Sequence, residues 1–224
     1  MQAMEEKMYK SIAIDGPSGA GKSTISKILA NKINFEYLDT GAMYRAYTYY
    51  YLKNNLDIED ENIINENLNN INLNIKNGKY FLNGEDVSRD IRSAEVTSNV
   101  SLVSSYKKVR EKLVDEQREL AASNNSVLDG RDIGSHVLPD ASIKFYLDAK
   151  AEVRAQRRLE QLGDPHIKYE DVLADIKRRD QYDSSRKISP LRKAHDAIVI
   201  DSTDLDIDSV VELMMKYLGE RHVL

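Results

Sequence analysis

The sequence predicts an α/β protein, a three-layer doubly wound parallel sheet of about five strands. Short apolar runs too brief for helices alternate with segments whose apolar residues recur at helical spacing. The order strand, loop, helix, strand, helix at the start of the chain calls for parallel strands joined by right-handed crossovers. The 224 residues, 41% of them apolar, suffice for one such core with a small insertion.

Ser11-Ile-Ala-Ile14, stopped by Asp15-Gly16-Pro17, reads as a buried strand. Ser23 to Asn34 follows as a helix, with Ile25, Ile28, Leu29 and Ile33 on its apolar side. Phe35 to Leu38 is a second strand. Thr40 to Asn55 is a tyrosine-rich helix with Tyr44, Tyr47 and Tyr51 on one face. The pattern changes across residues 62–93, where asparagines accumulate and the segments Asn72–Ile75 and Lys79–Leu82 alternate with period two. Asn77-Gly78 and Asn83-Gly84 are turn signals, so this stretch reads as a β meander inserted into the core. Helical spacing resumes over Ala94–Ser104 and Tyr106–Ala122. Ser126–Leu128 and Ile143–Leu147 are strands, each followed by Asp. Ala151–Leu162 is an arginine-rich helix broken by Gly163-Asp164-Pro165, and Tyr169–Ser185 is a second charged helix. Ala197–Ile200 reads as a final buried strand and Ile207–Gly219 as a closing amphipathic helix.

Composition excludes several classes of function. The absence of cysteine removes disulfides, thiol nucleophiles, iron–sulfur clusters and cysteine-bound zinc. The four histidines, His136, His166, His195 and His222, show no metal-ligand spacing. A net charge of −5 gives no general polyanion-binding surface, so nucleic acid is not an expected partner. No run reaches the about eighteen apolar residues of a membrane span, and Met1–Lys7 lacks the apolar core of a signal peptide. A cytoplasmic protein is expected, and a monomer, since no face reads as continuous exposed apolar surface.

Gly16-Pro-Ser-Gly-Ala-Gly-Lys22-Ser23 fits G-x-x-x-x-G-K-[ST] in full, placed between a strand and a helix. Glycines let backbone N–H groups turn inward around a triphosphate, Lys22 reaches its outer oxygens, Ser23 offers a hydroxyl to Mg²⁺, and the helix start points its positive end at the anion. The chain therefore binds a nucleotide. A guanine reader of the N-K-x-D type is missing, because Asn31-Lys32 runs on into Ile33-Asn34 within a helix. Three further groups have both a structural and a functional reading. Asp39-Thr-Gly-Ala-Met-Tyr-Arg45 suits a second anionic substrate or a capped helix with a surface Arg. Asp129-Gly-Arg-Asp132 is a substrate reader or a polar turn. Arg179, Asp183 and Arg186 share one helix face, as do Arg154, Arg157 and Arg158, and either set could be an ion-pair ladder.

Taken together, the stretches Ile14–Lys22, Leu38–Arg45, Asp129–Asp132 and Arg179-Asp180…Asp183…Arg186…Pro190-Leu191 give the chain a resemblance to the bacterial cytidylate kinases from Ile12 to about Tyr217. The resemblance implies a P-loop kinase fold with a core at 8–61 and 94–224, a helical lid at about 151–170, and a β-rich substrate-side, NMP-binding insertion at 62–93. It implies transfer of the γ-phosphoryl group of ATP, with Mg²⁺, to CMP and to dCMP. Gly16, Pro17, Ser18, Gly19, Ala20, Gly21, Lys22, Ser23 and Thr24 match the ATP site, Ser23 being the metal position, and Arg154, Arg157 and Arg158 match the lid that closes on ATP. Ser101, Arg110 and Asp132 match the base-contacting positions. Arg45, Arg131 and Arg186 match the acceptor-phosphate clamp, and Arg179 and Asp183 the ribose side. Thr40 stands where such proteins often carry Ser, and both supply a hydroxyl. Lys22, Arg131, Arg179 and Arg186 are the implied catalytic residues.

Other readings are a small kinase acting on UMP or on a non-nucleotide such as shikimate, and a nucleotide-binding regulator without transfer activity. The insertion and the Arg110/Asp132 pairing weigh against the first, and the arginine clusters against the second. Acyl transfer lacks a nucleophile elbow and a placed histidine.

Overall fold

The computed structural model describes residues 9–224. Met1–Lys7 and the expected start of the core at residue 8 fall outside the described residues. A parallel five-stranded sheet has the order β2-β6-β1-β7-β8, built from β1 (Ser11–Asp15), β2 (Glu36–Asp39), β6 (Ser126–Gly130), β7 (Ile143–Asp148) and β8 (Ile198–Asp201). Strand alternation sends Ile12 and Ile14 to one face and Ala13 to the other, and likewise separates Val127 from Leu128. On the Ile12 face lie α1 (Lys22–Ile33) and α8 (Ile207–Glu220). On the Ala13 face lie α2 (Thr40–Lys53), α4 (Ala94–Val103) and α5 (Lys107–Ser123). These are the three expected layers. The last strand departs from its expectation as a buried one. β8 is an outer edge of the sheet, paired only with β7 among the described residues, and Val199 on it is 49% exposed.

Residues 62–93 contain the expected antiparallel meander, β3 (Leu73–Lys76), β4 (Lys79–Leu82) and β5 (Glu85–Asp86). Asn77 (φ 52°) and Gly78 (φ 71°) turn the first hairpin, and Asn83 (φ 49°) and Gly84 (φ 89°) the second, the left-handed pairs a two-residue turn demands. A short helix not anticipated from the sequence, α3 (Glu61–Asn67), precedes them, capped by the Asp60 carboxylate accepting the Asn62 N–H. The insertion has no separate core. Its Ile64, Leu68, Ile71, Tyr80, Leu82 and Val87 share one apolar cluster with Tyr47 and Tyr51 of α2 and Leu113 of α5. The tyrosine face of α2 is thus the floor on which the meander sits.

The helical hairpin of α6 (Ala151–Leu162) and α7 (Tyr169–Ser185) carries its own small core of Ala155, Val172 and Ile176. Gly163 ends α6 in the left-handed conformation (φ 63°). This cluster is separate from the two large ones that line the sheet.

Candidate active site

The carboxyl ends of β1, β2 and β6 lie side by side, with Asp15 in register with Gly130, and Asp39 with Asp129. Ligands of doubly wound sheets bind at this edge. The glycine-lined loop leaves β1 here. A Cβ on Gly16 would fall 2.0 Å from the Leu147 carbonyl oxygen, so only glycine lets the loop depart between β1 and β7. Gly21 (φ 84°) precedes α1, and no side chain among the described residues caps it, which leaves the first N–H groups of the helix to an anion.

Lys22 is buried and donates from Nζ to the Pro17 carbonyl of its own loop at 2.7 Å. Burial, and next the charge of Arg131, pushes its pKa down to about 7. Ser23 Oγ, open to the cleft, donates to Asp129 Oδ2 at 2.9 Å, and Tyr37 donates to Asp129 Oδ1 at 2.9 Å. Burial and the neighbouring Asp39 push Asp129 up to about 6. A hydroxyl and a carboxylate beside a phosphate cradle form the oxygen-donor set that Mg²⁺ takes, so the residues present fit this ion. Asp15 accepts the N–H groups of Ile133 and Gly134, each at 2.8 Å. Burial outweighs those bonds and raises it to about 7. The turn it holds, Ile133–Val137, is a π-helical one that the sequence pattern did not reveal.

Across the cleft, Asp39 caps α2 by accepting the Ala42 N–H through Oδ1 at 2.8 Å, and its Oδ2 holds Arg45 at 2.9 Å and Arg92 at 3.7 Å. Thr40 Oγ1 donates to the Asp129 carbonyl at 2.7 Å. Arg131 Nε pairs with Asp183 Oδ2 at 2.8 Å. Arg186, just past the end of α7, lies 4.0 Å from Asp183 Oδ1 and donates from Nη1 to Ser104 Oγ at 3.3 Å. Asp183 therefore answers Arg131 from another element, which departs from an intrahelical ladder. Arg45 Nε, Arg179 Nε and Arg186 Nη2 are buried with no hydrogen-bond partner among the described residues. Burial and the nearby Arg131 push Arg179 down to about 10. Crowded cations with unspent donors make an anion site.

Next to this ring, Arg110 of α5 (2% exposed) donates from Nη2 directly to Asp132 Oδ2 (4% exposed) and from Nη1 to the Ser104 carbonyl at 3.2 Å. Its guanidinium lies 5.5 Å from the centre of the Tyr44 ring. Ser101 is buried on α4, and its carbonyl accepts the Ser104 hydroxyl at 3.0 Å. The end of α4 thus touches both Arg110 and Arg186, which gathers Ser101, Arg110, Asp132 and the arginine ring into one place.

The three arginines expected to close on ATP do not stay together. Arg154 turns inward to Asp180 and the glycine loop. Arg157 is spent on carbonyls after β8, donating from Nη2 to Ser202 at 2.7 Å and Leu205 at 3.1 Å. Arg158 donates to Gln161 at the surface, and burial and then the charges of Arg45 and Arg92 depress its pKa. Helical spacing puts 154, 157 and 158 on one side of α6, but side chains of this length diverge by several ångströms from a shared face. Sequence reasoning gave no role to Asp15, Arg92 or Asp180, and gave Asp39 a place only as the cap of a helix. An Asp closing a buried strand was a signal for Asp15, as it was for Asp39. Asp180 had no local signal, since its partners lie more than 20 residues away.

A model of the cytidylate kinase family matches residues 12–220. The cytidylate kinase of Fusobacterium nucleatum is 48% identical over 207 residues, spanning 92% of this chain and 95% of that protein. The one from Caldanaerobacter subterraneus is 51% identical over 203 residues, spanning 90% and 91%. In fold alone, a crystal structure of an uncharacterized protein from Eubacterium ventriosum is similar, with TM-score 0.53 at 15% identity over 94% of this chain and 98% of that one. With near-half identity running from β1 into α8, across both the glycine loop and the arginine ring, the chain belongs to the cytidylate kinase family.

Proposed function

We propose that this site transfers the γ-phosphoryl group of ATP to CMP, and to dCMP as a second acceptor, giving ADP and the diphosphate. Membership of the family makes the chain a phosphotransferase. The observation that carries the choice of base is the buried Arg110–Asp132 pair beside the arginine ring. Cytosine offers an amino donor at N4 and acceptors at N3 and O2, so Asp132 accepts from the first and Arg110 donates to the others. Uracil sets a carbonyl against the carboxylate and an N–H against the guanidinium. Each mismatched buried group costs ~1–3 kcal/mol, so CMP is favoured over UMP by a few hundredfold.

The chain's own contribution to transfer is placement and charge. Lys22 and the N–H groups of Gly19–Thr24 hold the donor phosphates, while Arg45, Arg131 and Arg186 clamp the acceptor phosphate and Arg179 and Asp183 its ribose side. The attacking oxygen is already anionic and needs no general base. When bound at Ser23 and Asp129, Mg²⁺ neutralises charge on the donor phosphates. Arg158 supplies the lid's charge to the cleft, and closure of α6–α7 and the 62–93 insertion excludes water. No helix of the described residues is long and apolar enough to cross a membrane. The reading includes a cytoplasmic monomer with nucleotides as partners and no nucleic acid, which the net charge of −5 favours.

A coupled ADP-release assay against CMP, dCMP, UMP and AMP tests this. ADP should appear with CMP and dCMP and far more slowly with UMP and AMP. Release independent of the acceptor, or as fast with UMP as with CMP, overturns the reading.

A further inference from the structure

One helix reaches both halves of the site. From α7, Asp180 Oδ1 accepts the Ser18 N–H at 2.8 Å, and Oδ2 accepts Arg154 Nη1 at 2.6 Å. The same Nη1 donates to the Ser18 carbonyl at 2.6 Å, and Arg154 Nε donates to the Ala149 carbonyl at 2.8 Å. Both backbone groups of Ser18, at the tip of the glycine loop, are thus gripped by one ion pair between α6 and α7. Ser18 and Arg154 are each 6% exposed. A Cβ on the next residue, Gly19, would sit 3.3 Å from Arg154 Cβ and 3.3 Å from the Ile176 side chain, so the tip packs directly on the helical hairpin. One turn beyond Asp180, Asp183 holds Arg131, and the helix end carries Arg186. A triphosphate that shifts the loop tip therefore pulls on the helix bearing the acceptor cations.

We infer that Asp180 is a positioning residue that couples the donor loop to the acceptor ring, and that Arg154 serves this latch instead of contacting ATP. The inference rests on the two-nucleotide reading given above. Three protein acceptors already take the Nε and Nη1 donors of Arg154, two of them backbone carbonyls fixed by the fold. Arg158, by contrast, feels the charges of Arg45 and Arg92 and, among the described residues, its one hydrogen bond is an exposed contact with Gln161 at 2.9 Å. Coupling between two ligands is a reciprocal quantity and can be measured without turnover.

Calorimetric titration of CMP into the whole protein, with and without a saturating non-hydrolysable ATP analogue, reads it directly. The wild type should bind CMP roughly tenfold more tightly with the analogue present. Asp180→Ala should bind CMP alone within about twofold of wild type and lose the tightening. Asp180→Asn, which keeps an acceptor for Ser18 and drops the charge, carries the same test if the alanine variant unfolds in a melting scan. In kinetics, Arg154→Ala and Asp180→Asn should each raise the KM for ATP, and the double variant should be no worse than the poorer single one. Tightening retained without Asp180, or losses that add in the double variant, overturn the latch. A wild type that binds both nucleotides without tightening also overturns it. A wild type that binds the analogue but not CMP overturns the acceptor reading, and the coupling with it.

Discussion

Arg110 and Asp132 meet in a direct ion pair, sealed to 2% and 4% exposure, in a pocket whose other wall is the Tyr44 ring. Each charge is the other's compensation. Taking a partner away strands a buried ion, which costs about 3–5 kcal/mol.

That pairing separates two effects of substitution. Asp132→Ala should lower unfolding free energy by about that amount, measured in denaturant. Asp132→Asn keeps the shape, presents an amide that can turn its N–H toward a carbonyl, and should narrow the CMP/UMP ratio of kcat/KM by tenfold or more. Undiminished selectivity in Asp132→Asn would move base reading elsewhere.

Lys22 makes binding a proton-linked event. Its value near 7 in the empty site results from burial and from Arg131. A triphosphate brings the negative charge that reverses both, so at pH 8 binding should draw in about one proton, seen as a dependence of calorimetric heat on the buffer's ionisation enthalpy. Lys22→Arg, always charged, should abolish the uptake. The sign carries over to stability. Between pH 7 and about 10 the unfolded chain holds a proton on Lys22 that the empty fold does not, so this group's contribution to stability grows as pH rises through that window. Absence of uptake in the wild type would refute the shift.

Arg186 tests whether the clamp needs a fork or a charge. Its Nη1 reaches Ser104, its Nε the Asp183 carbonyl at 3.2 Å, and its buried Nη2 has no partner among the described residues. Arg186→Lys keeps the charge and loses the directed pair. One charge-assisted hydrogen bond is worth about 1.5–3 kcal/mol, so kcat/KM for CMP should fall roughly ten- to a hundredfold with little change in the KM for ATP. An unaltered acceptor KM and kcat would place Arg186 outside the clamp.

The sequence was most legible where chemistry is local. The glycine loop, the asparagine–glycine hairpins and the Asp-capped start of α2 are each written within a few residues, because turns, caps and anion cradles use adjacent backbone groups. It was least legible where long side chains choose among distant partners. Arg154, Arg157 and Arg158 share a helical side and yet end on Asp180, on the carbonyls after β8, and on Gln161. The edge position of β8 was hidden because Ile198-Val-Ile200 is equally apolar whether paired on one side or two. Helix α3 was hidden because its asparagines favour turns as much as a helix, and burial of Ile64 beneath Tyr51 decides the matter.

Two glycines in the same chain should differ sharply in what one added methyl does. At Gly16 a Cβ would meet the Leu147 carbonyl oxygen at 2.0 Å, and that oxygen belongs to the strand beside β1. Neither atom can give way without opening the sheet at the phosphate edge. Gly16→Ala should cost more than about 3 kcal/mol in unfolding free energy and abolish ATP binding, as overpacking against backbone does. At Gly78 nothing lies within 4 Å of the added carbon, and the cost is conformational, since φ is +71° in the first hairpin turn. Gly78→Ala should cost about 1 kcal/mol and leave kcat/KM for both substrates near wild type. Denaturant midpoints and steady-state rates of the two variants compare a packing clash with a backbone preference. A Gly16→Ala protein that folds and binds ATP normally would show that the loop leaves the sheet by another route.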